Sequence, residues 1–473
     1  MPNRWGETQR PFRWFDGAPA PSTVILTVVL FFVLALGAAC ANQPTPKAAK
    51  DSGNVPHGSV VAETFAFQLA IYHLEKPNQN VADIARTFLT DKPLTLRSTP
   101  ARGEKVGSPS VTVGSPEIAS YAPPSPDLLE YFARGLSDAE KAALSGAREV
   151  TVLDFAGPGT AAPVTYRLGL ELVAEVVSKV RGFPWDEETR EAFSADEWQK
   201  RLRGWEEGRP DIVQHVTIHA YRHGELIRLV TLGMKKFALP DLAVTEVSSS
   251  DSVAIGNVVN LACQTLLERQ RLDQPGKLDV SIDGIRHRDA RVRYSTNVLP
   301  SAERRATLEL FLSRPEQGDA DNRLLELGFS GPGGIQERHA ELIARIFGAS
   351  DAIAMVEHDE ELLAASERAR KKALSFRDRY QAGVPEGEQL LVKAPFKTPD
   401  GENEWMWVEV VSWKGNVISG ILQNQPFNVP TLKSGSRVEV RADEIFDYTL
   451  TRRDGSHEGN ETGRIMERRQ PRE

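Results

Sequence analysis

Cysteine is almost missing from this chain of 473 residues, which holds only Cys40 and Cys263. A disulfide framework is therefore excluded, and with Cys40 modified no intramolecular disulfide could form. Cys263 falls in the apolar-periodic run 255–267 and reads as a buried, inert thiol rather than a nucleophile. Long apolar runs are lacking beyond residue 41. A basic stripe is lacking too: 57 basic and 65 acidic side chains are spread along the chain for a net charge of −8, which argues against nucleic-acid binding. No Walker, Rossmann or zinc-cluster spacing occurs, so neither a cofactor nor a metal is expected. His215, His219 and His223 recur every four residues, but that spacing on a strand separates neighbours by about 13 Å. Metal–ligand bonds are about 2 Å, so the three cannot share an ion.

What is present is a globular composition, 40% apolar and 26% charged, long enough for two or three domains. Residues 1–40 read as an export signal. Arg4, Arg10 and Arg13 precede an apolar run at 24–36 that ends in Gly37-Ala38-Ala39-Cys40. Small residues before a cysteine resemble a bacterial lipobox, with Cys40 as the lipidated residue, although Gly37 stands where leucine is usual. An uncleaved anchor is the rival, since residues 24–41 are just long enough to span a bilayer. A buried core helix fits poorly with the flanking arginines and the polar Asn42-Gln43-Pro44. Both membrane readings place the body outside the cytoplasm, in the cell envelope. Ala41 after Cys40 leans toward the outer membrane.

Residues 41–58 are a Pro/Ala/Lys-rich tether, and 59–350 form a larger mixed α/β region. Strands are expected at 64–74, 149–155, 242–247, 278–282, 291–294, 307–312 and 324–329. A hairpin is expected around His223-Gly224. Helices are expected at 81–89, 164–180, 195–205 (with Trp198 buried) and 253–270. Ser137-Asp138-Ala139-Glu140 is a capping-box start. Residues 98–126, rich in Ser, Pro and Gly, read as a surface loop. An internal echo links Leu153-Asp154-Phe155-Ala156-Gly157-Pro158-Gly159 to Leu327-Gly328-Phe329-Ser330-Gly331-Pro332-Gly333, each followed by a helix, which raises a duplication of two α/β units. Gly328-Phe329-Ser330-Gly331-Pro332 misses the nucleophile elbow, because proline replaces its final glycine.

A charged helix at 358–380 leads into strands at 389–396, 404–413, 417–422, 437–441 and 445–450. Residues 451–473 read as polar and loosely ordered. The segment that carries Val392-Lys393-Ala394-Pro395-Phe396, Glu404-Trp405-Met406-Trp407-Val408, Gly420-Ile421-Leu422-Gln423-Asn424-Gln425-Pro426, Gly435, Val438, Ile445-Phe446-Asp447-Tyr448 and Gly459-Asn460-Glu461-Thr462 resembles the bacterial domain of unknown function 2314. That family usually has histidine before the methionine and tryptophan after the aspartate, where this chain has Trp405 and Tyr448. The resemblance implies a small α+β domain with an antiparallel sheet at 351–465, a polar tail at 466–473, and no agreed activity. The fold class expected overall is α+β.

Strand alternation puts Met406, Val408 and Val410 on one face of the tryptophan strand and Trp405, Trp407, Glu409 and Trp413 on the other. The second face suits either a covering helix or a ligand, because tryptophan combines large area with one polar handle. Lys393, Glu404, Asn424 and Asp447 could join it around a polar ligand, or could equally be satisfied within strand ends and turns. Two functions follow as expectations. One is a non-catalytic, membrane-tethered envelope protein that binds a protein partner or cell-wall ligand on its tryptophan face. The other is an envelope hydrolase with a carboxylate pair such as Glu404 and Asp447, which would have to lie about 5–10 Å apart in a cleft.

Overall fold

The computed structural model describes residues 55–469 except 101–106, 225, 249–250, 297, 332–333, 349–359, 382, 386, 400, 402, 425, 427–428 and 453–455. It also describes two three-residue strands, Pro11–Arg13 and Val29–Phe31. Cys40 and the tether up to residue 54 lie outside the described residues. The protein is α+β, with three main sheets. Among the described residues no helix is long and apolar enough to cross a membrane.

The first sheet is built from β1 (Thr64–His73), β2 (Ser110–Gly114), β3 (Glu149–Pro158), β4 (Phe183–Asp186) and β5 (Glu191–Phe193), with two short edge strands. Its central order is β2-β3-β1-β4-β5, antiparallel throughout. Alternation along β1 sends Phe65, Phe67, Leu69 and Ile71 to one face, where helix α1 (Ala162–Lys179) covers them with Tyr166, Leu170 and Val173. The opposite face is covered only in part. Leu129 and Leu144, from the short helices Pro126–Phe132 and Asp138–Ser145, pack on Ala70, Tyr72, Val150 and Val152. The end of that face carrying Ala66, Gln68 and Asp154 is left uncovered by them.

The second sheet takes β6 (Thr217–His223), β7 (Leu226–Leu232), β8 (Asp241–Val247), β9 (Lys277–Ser281), β10 (Arg305–Ser313) and β11 (Leu324–Gly328), in the order β6-β7-β8-β11-β10-β9. Val29–Phe31 pairs beside β6 in parallel. Helix α2 (Ser252–Arg269) buries most of its length on this sheet, Cys263 included. One continuous core draws on both sheets, from Val60 to Ile346.

The third sheet is six-stranded and wholly antiparallel. It consists of β12 (Gln389–Lys397), β13 (Asn403–Lys414), β14 (Val417–Leu422), β15 (Arg437–Arg441), β16 (Asp447–Thr451) and β17 (His457–Gly459), ordered β15-β14-β13-β12-β16-β17. Helix α3 (Glu360–Leu374) lays Ala369 and Ala373 on its core face, followed by Phe376 and Tyr380. The tip of the β6–β7 hairpin meets this domain. Arg222 ion-pairs with Glu409, and a Cβ on Gly435 would come within 3.3 Å of Leu226.

Four sequence expectations change. Residues 291–294 are not a strand but part of the helix Arg288–Ser295, because His287 accepts the Ala290 N–H as a cap and Ala290 and Tyr294, four apart, bury one face. The Ser/Pro/Gly stretch 98–126 contains β2, a short β-branched run that its flanks disguise. Residues 451–473 contain β17 and the helix α4 (Glu461–Arg469), ordered by pairing with β16 and by contact with α3. The internal echo is local: both copies are a strand followed by a helix, but β3 is antiparallel to both neighbours while β11 is parallel to β8.

Candidate functional site

The tryptophan strand does not keep one parity. A register shift between Val410 and Ser412 inserts a bulge, so residues beyond it change face. Trp413 therefore joins Met406, Val408 and Val410 in the core and is wholly buried, the reverse of the face that unbroken alternation assigned to it. Trp405 and Trp407 stay on the other face and are half-buried.

Trp405 packs on Phe446, with ring centroids 4.6 Å apart, in a small cluster with Leu362, Ala365 and Ile465. The amino-terminal part of α3 thus shields Trp405. Trp407 is different. Its neighbour across the ladder is Lys393, whose ammonium lies 5.9 Å from the Trp407 ring centre and 6.0 Å from that of Phe446. Both distances suit cation–π attraction. Burial holds the Lys393 ammonium below the ordinary lysine range, with Asp447 opposing.

The other polar candidates are engaged inside the protein. Asp447 is fully buried; it accepts from the Tyr448 N–H at 2.8 Å, and from Thr462 through the N–H at 2.8 Å and the hydroxyl at 2.5 Å. It ties β16 to α4. Glu409, 5% exposed, takes Arg222 of the body and the Gln423 amide at 3.2 Å. Asn424 accepts the Trp407 backbone N–H, which makes it a brace for the strand. Glu404 sits opposite Phe396 and shares the parity of Met406, whereas Asp447 sits opposite Lys393 and shares that of Trp407. Glu404 and Asp447 therefore project from opposite faces of the sheet and cannot act on one scissile bond.

The three regularly spaced histidines also separate. His215 bonds to the Tyr166 hydroxyl at 3.0 Å, His219 packs on Phe132, and His223 faces Glu316. Among the described residues no cluster could hold a metal ion.

Sequence reasoning passed over a cavity of about 470 Å³ at the uncovered end of the first sheet. Its walls include Gln68, Thr112, Asp154, Glu188, Arg190 and Lys235. One signal was available: Asp154 interrupts the apolar strand run Val150-Thr151-Val152-Leu153-Asp154-Phe155.

Residues 359–471 match the family model described as "Uncharacterized protein conserved in bacteria (DUF2314)". The match covers the third sheet and both helices packed on it, so the carboxy-terminal domain is of that class. No curated protein and no solved structure matches the chain.

Proposed function

We propose that the chain is a membrane-tethered binding protein of the bacterial cell envelope. On this reading it is exported on residues 1–40, held through Cys40, and uses its carboxy-terminal domain for non-catalytic recognition. The observation that carries the recognition half is the placement of Lys393 between Trp407 and Phe446 on a half-buried face. A partly desolvated ammonium flanked by aromatic rings fits an anionic group beside flat apolar surface, and a protein segment with an acidic residue next to an apolar one supplies both. The export half is supported by the arginines, the apolar run and the small residues that precede Cys40.

The test is cross-linking of the full chain in its native envelope, comparing it with Trp407→Ala and Lys393→Gln. One protein captured by the parent and lost by both variants is the expected result. Equal capture by all three removes this face from recognition, and recovery of wall material alone replaces the protein partner by a glycan or stem peptide. Incorporation of a labelled fatty acid, abolished by Cys40→Ser, is the expected result for the tether. Labelling that survives the substitution refutes it.

A further inference from the structure

The cavity in the body is independent of the carboxy-terminal face, and its floor is a row of polar side chains in register. Thr112 of β2 lies opposite Asp154 of β3, which lies opposite Gln68 of β1. In an antiparallel sheet, directly opposed residues point to the same side. The next row toward the rim, Ser110, Ala156 and Ala66, is made of small residues and leaves open space above the sheet.

Two of these polar groups keep bonding capacity among the described residues. The Thr112 hydroxyl is buried, with the residue only 5% exposed, and has no hydrogen-bond partner among the described residues. Leaving such a group unpaired is costly, and a hydroxyl that lines a cavity can take its partner from a bound molecule. Asp154 receives the Gln68 amide on Oδ1, and no lysine or arginine pairs with it among the described residues. A carboxylate in the middle of a sheet face, without a cation, is the second sign. It asks for a positive group.

The rim carries charge of both signs. The β4–β5 turn, residues 187–190, brings Glu187, Glu188 and Arg190 to the cavity, the turn Met234–Phe237 brings Lys235, and Asp321 adds a further acid. Lys235 faces Glu188 at 3.8 Å, so a ligand carboxylate there would compete with that acid. Both turns are locked to one buried ion cluster beneath them. Asp186 Oδ2 bonds Lys236 at 2.5 Å and Arg201 at 2.7 Å, while Asp186 Oδ1 accepts the Glu188 N–H at 3.1 Å. Burial alone would raise the Asp186 carboxyl, but Lys236 and Arg201 hold it below the usual aspartate value. The cations at the rim are therefore set on a rigid base, as preorganised recognition requires.

We infer that this cavity binds a small zwitterion, an α-amino acid or dipeptide, with its ammonium on Asp154 and Thr112 and its carboxylate toward Arg190 and Lys235. The volume falls within the range of small-molecule sites, roughly 300–1,000 Å³. A neutral sugar would leave the Asp154 charge uncompensated.

The experiment is calorimetric titration of the full-length protein, in detergent, with each of the common L-amino acids and with alanyl-alanine. Glucose and spermidine serve as comparison probes. At least one amino acid or the dipeptide is expected to bind saturably, and its N-acetylated form, which lacks the ammonium, at least about tenfold more weakly. Asp154→Asn is expected to weaken the same ligand by a similar factor while its far-ultraviolet spectrum matches the parent. The N-acetyl comparison uses only the parent protein and stands even where the variant misfolds. Binding of glucose or spermidine alone, no binding of any amino acid or dipeptide, or equal affinity for free and N-acetylated forms overturns the assignment.

Discussion

The tryptophan strand of the carboxy-terminal domain and the open face of the first sheet treat polar side chains in opposite ways. In the domain, the acids that stand out in the sequence are used internally: Asp447 caps Thr462 and Glu409 holds Arg222 and Gln423. In the body, Thr112 and Asp154 draw little notice in the sequence, yet they converge on a cavity with, among the described residues, a hydroxyl lacking a partner and a carboxylate lacking a cation. Conspicuous polarity is thus a weaker guide to a binding site than incomplete pairing. A buried polar group that already has its partners stabilises the fold, and one that lacks them beside a cavity can take a ligand.

The largest effect expected is at the ion cluster under the cavity. Asp186→Ala leaves Lys236 and Arg201 buried without their anion, and should cost about 3–5 kcal/mol in urea unfolding. A loss below about 1 kcal/mol would mean that the cluster does not anchor the rim. Next come the tryptophans, whose burial differs within one strand. Trp413→Ala removes a fully buried ring and should cost about 3–5 kcal/mol, whereas Trp407→Ala, on the half-buried face, should cost about 1 kcal/mol or less. Equal losses would erase the difference that the bulge creates.

Acidity should separate the two kinds of buried group. Burial lowers His339 to about 4, so its contribution to stability is complete above the unfolded value of about 6.5 and is lost as pH falls toward 4. His215 and His219, pushed well down by burial, act in the same direction. Glu188 runs the other way. Burial, against the opposing charge of Lys235 and with the help of Asp186, pushes it up to about 7; its contribution is complete below about 4.5 and is lost as pH rises through 7. Melting of Glu188→Gln should therefore improve relative to the parent between pH 5 and pH 8, by roughly 1–3 kcal/mol. A constant difference would show that the carboxyl is ordinary. The smallest effect is at the contact between the two regions. A double-mutant cycle of Arg222→Ala and Glu409→Gln should give a coupling of about 1 kcal/mol, and zero coupling would separate them energetically.

Much of the fold was legible in the residues. Period-two apolar alternation marked β1, and the spacing of Tyr166, Leu170 and Val173 marked α1. Ser137 and Glu140 form the capping box their spacing announced. The strand β2 was hidden because four residues between Pro109 and Gly114 are too few for periodicity to outweigh their flanks. Trp413 was misplaced because a bulge inverts parity without altering the residue pattern.

By itself, then, the sequence determined most of the elements, with their rough bounds, together with the antiparallel carboxy-terminal sheet and the family resemblance. These depend on neighbours a few residues apart along the chain. Only the tertiary structure decided which side chains meet. Thr112, Asp154, Glu188 and Lys235 are drawn to one cavity from four separate segments, and Arg222 reaches Glu409 across 187 residues. Polar satisfaction is a property of such distant encounters, and so the site became visible only once the chain was folded.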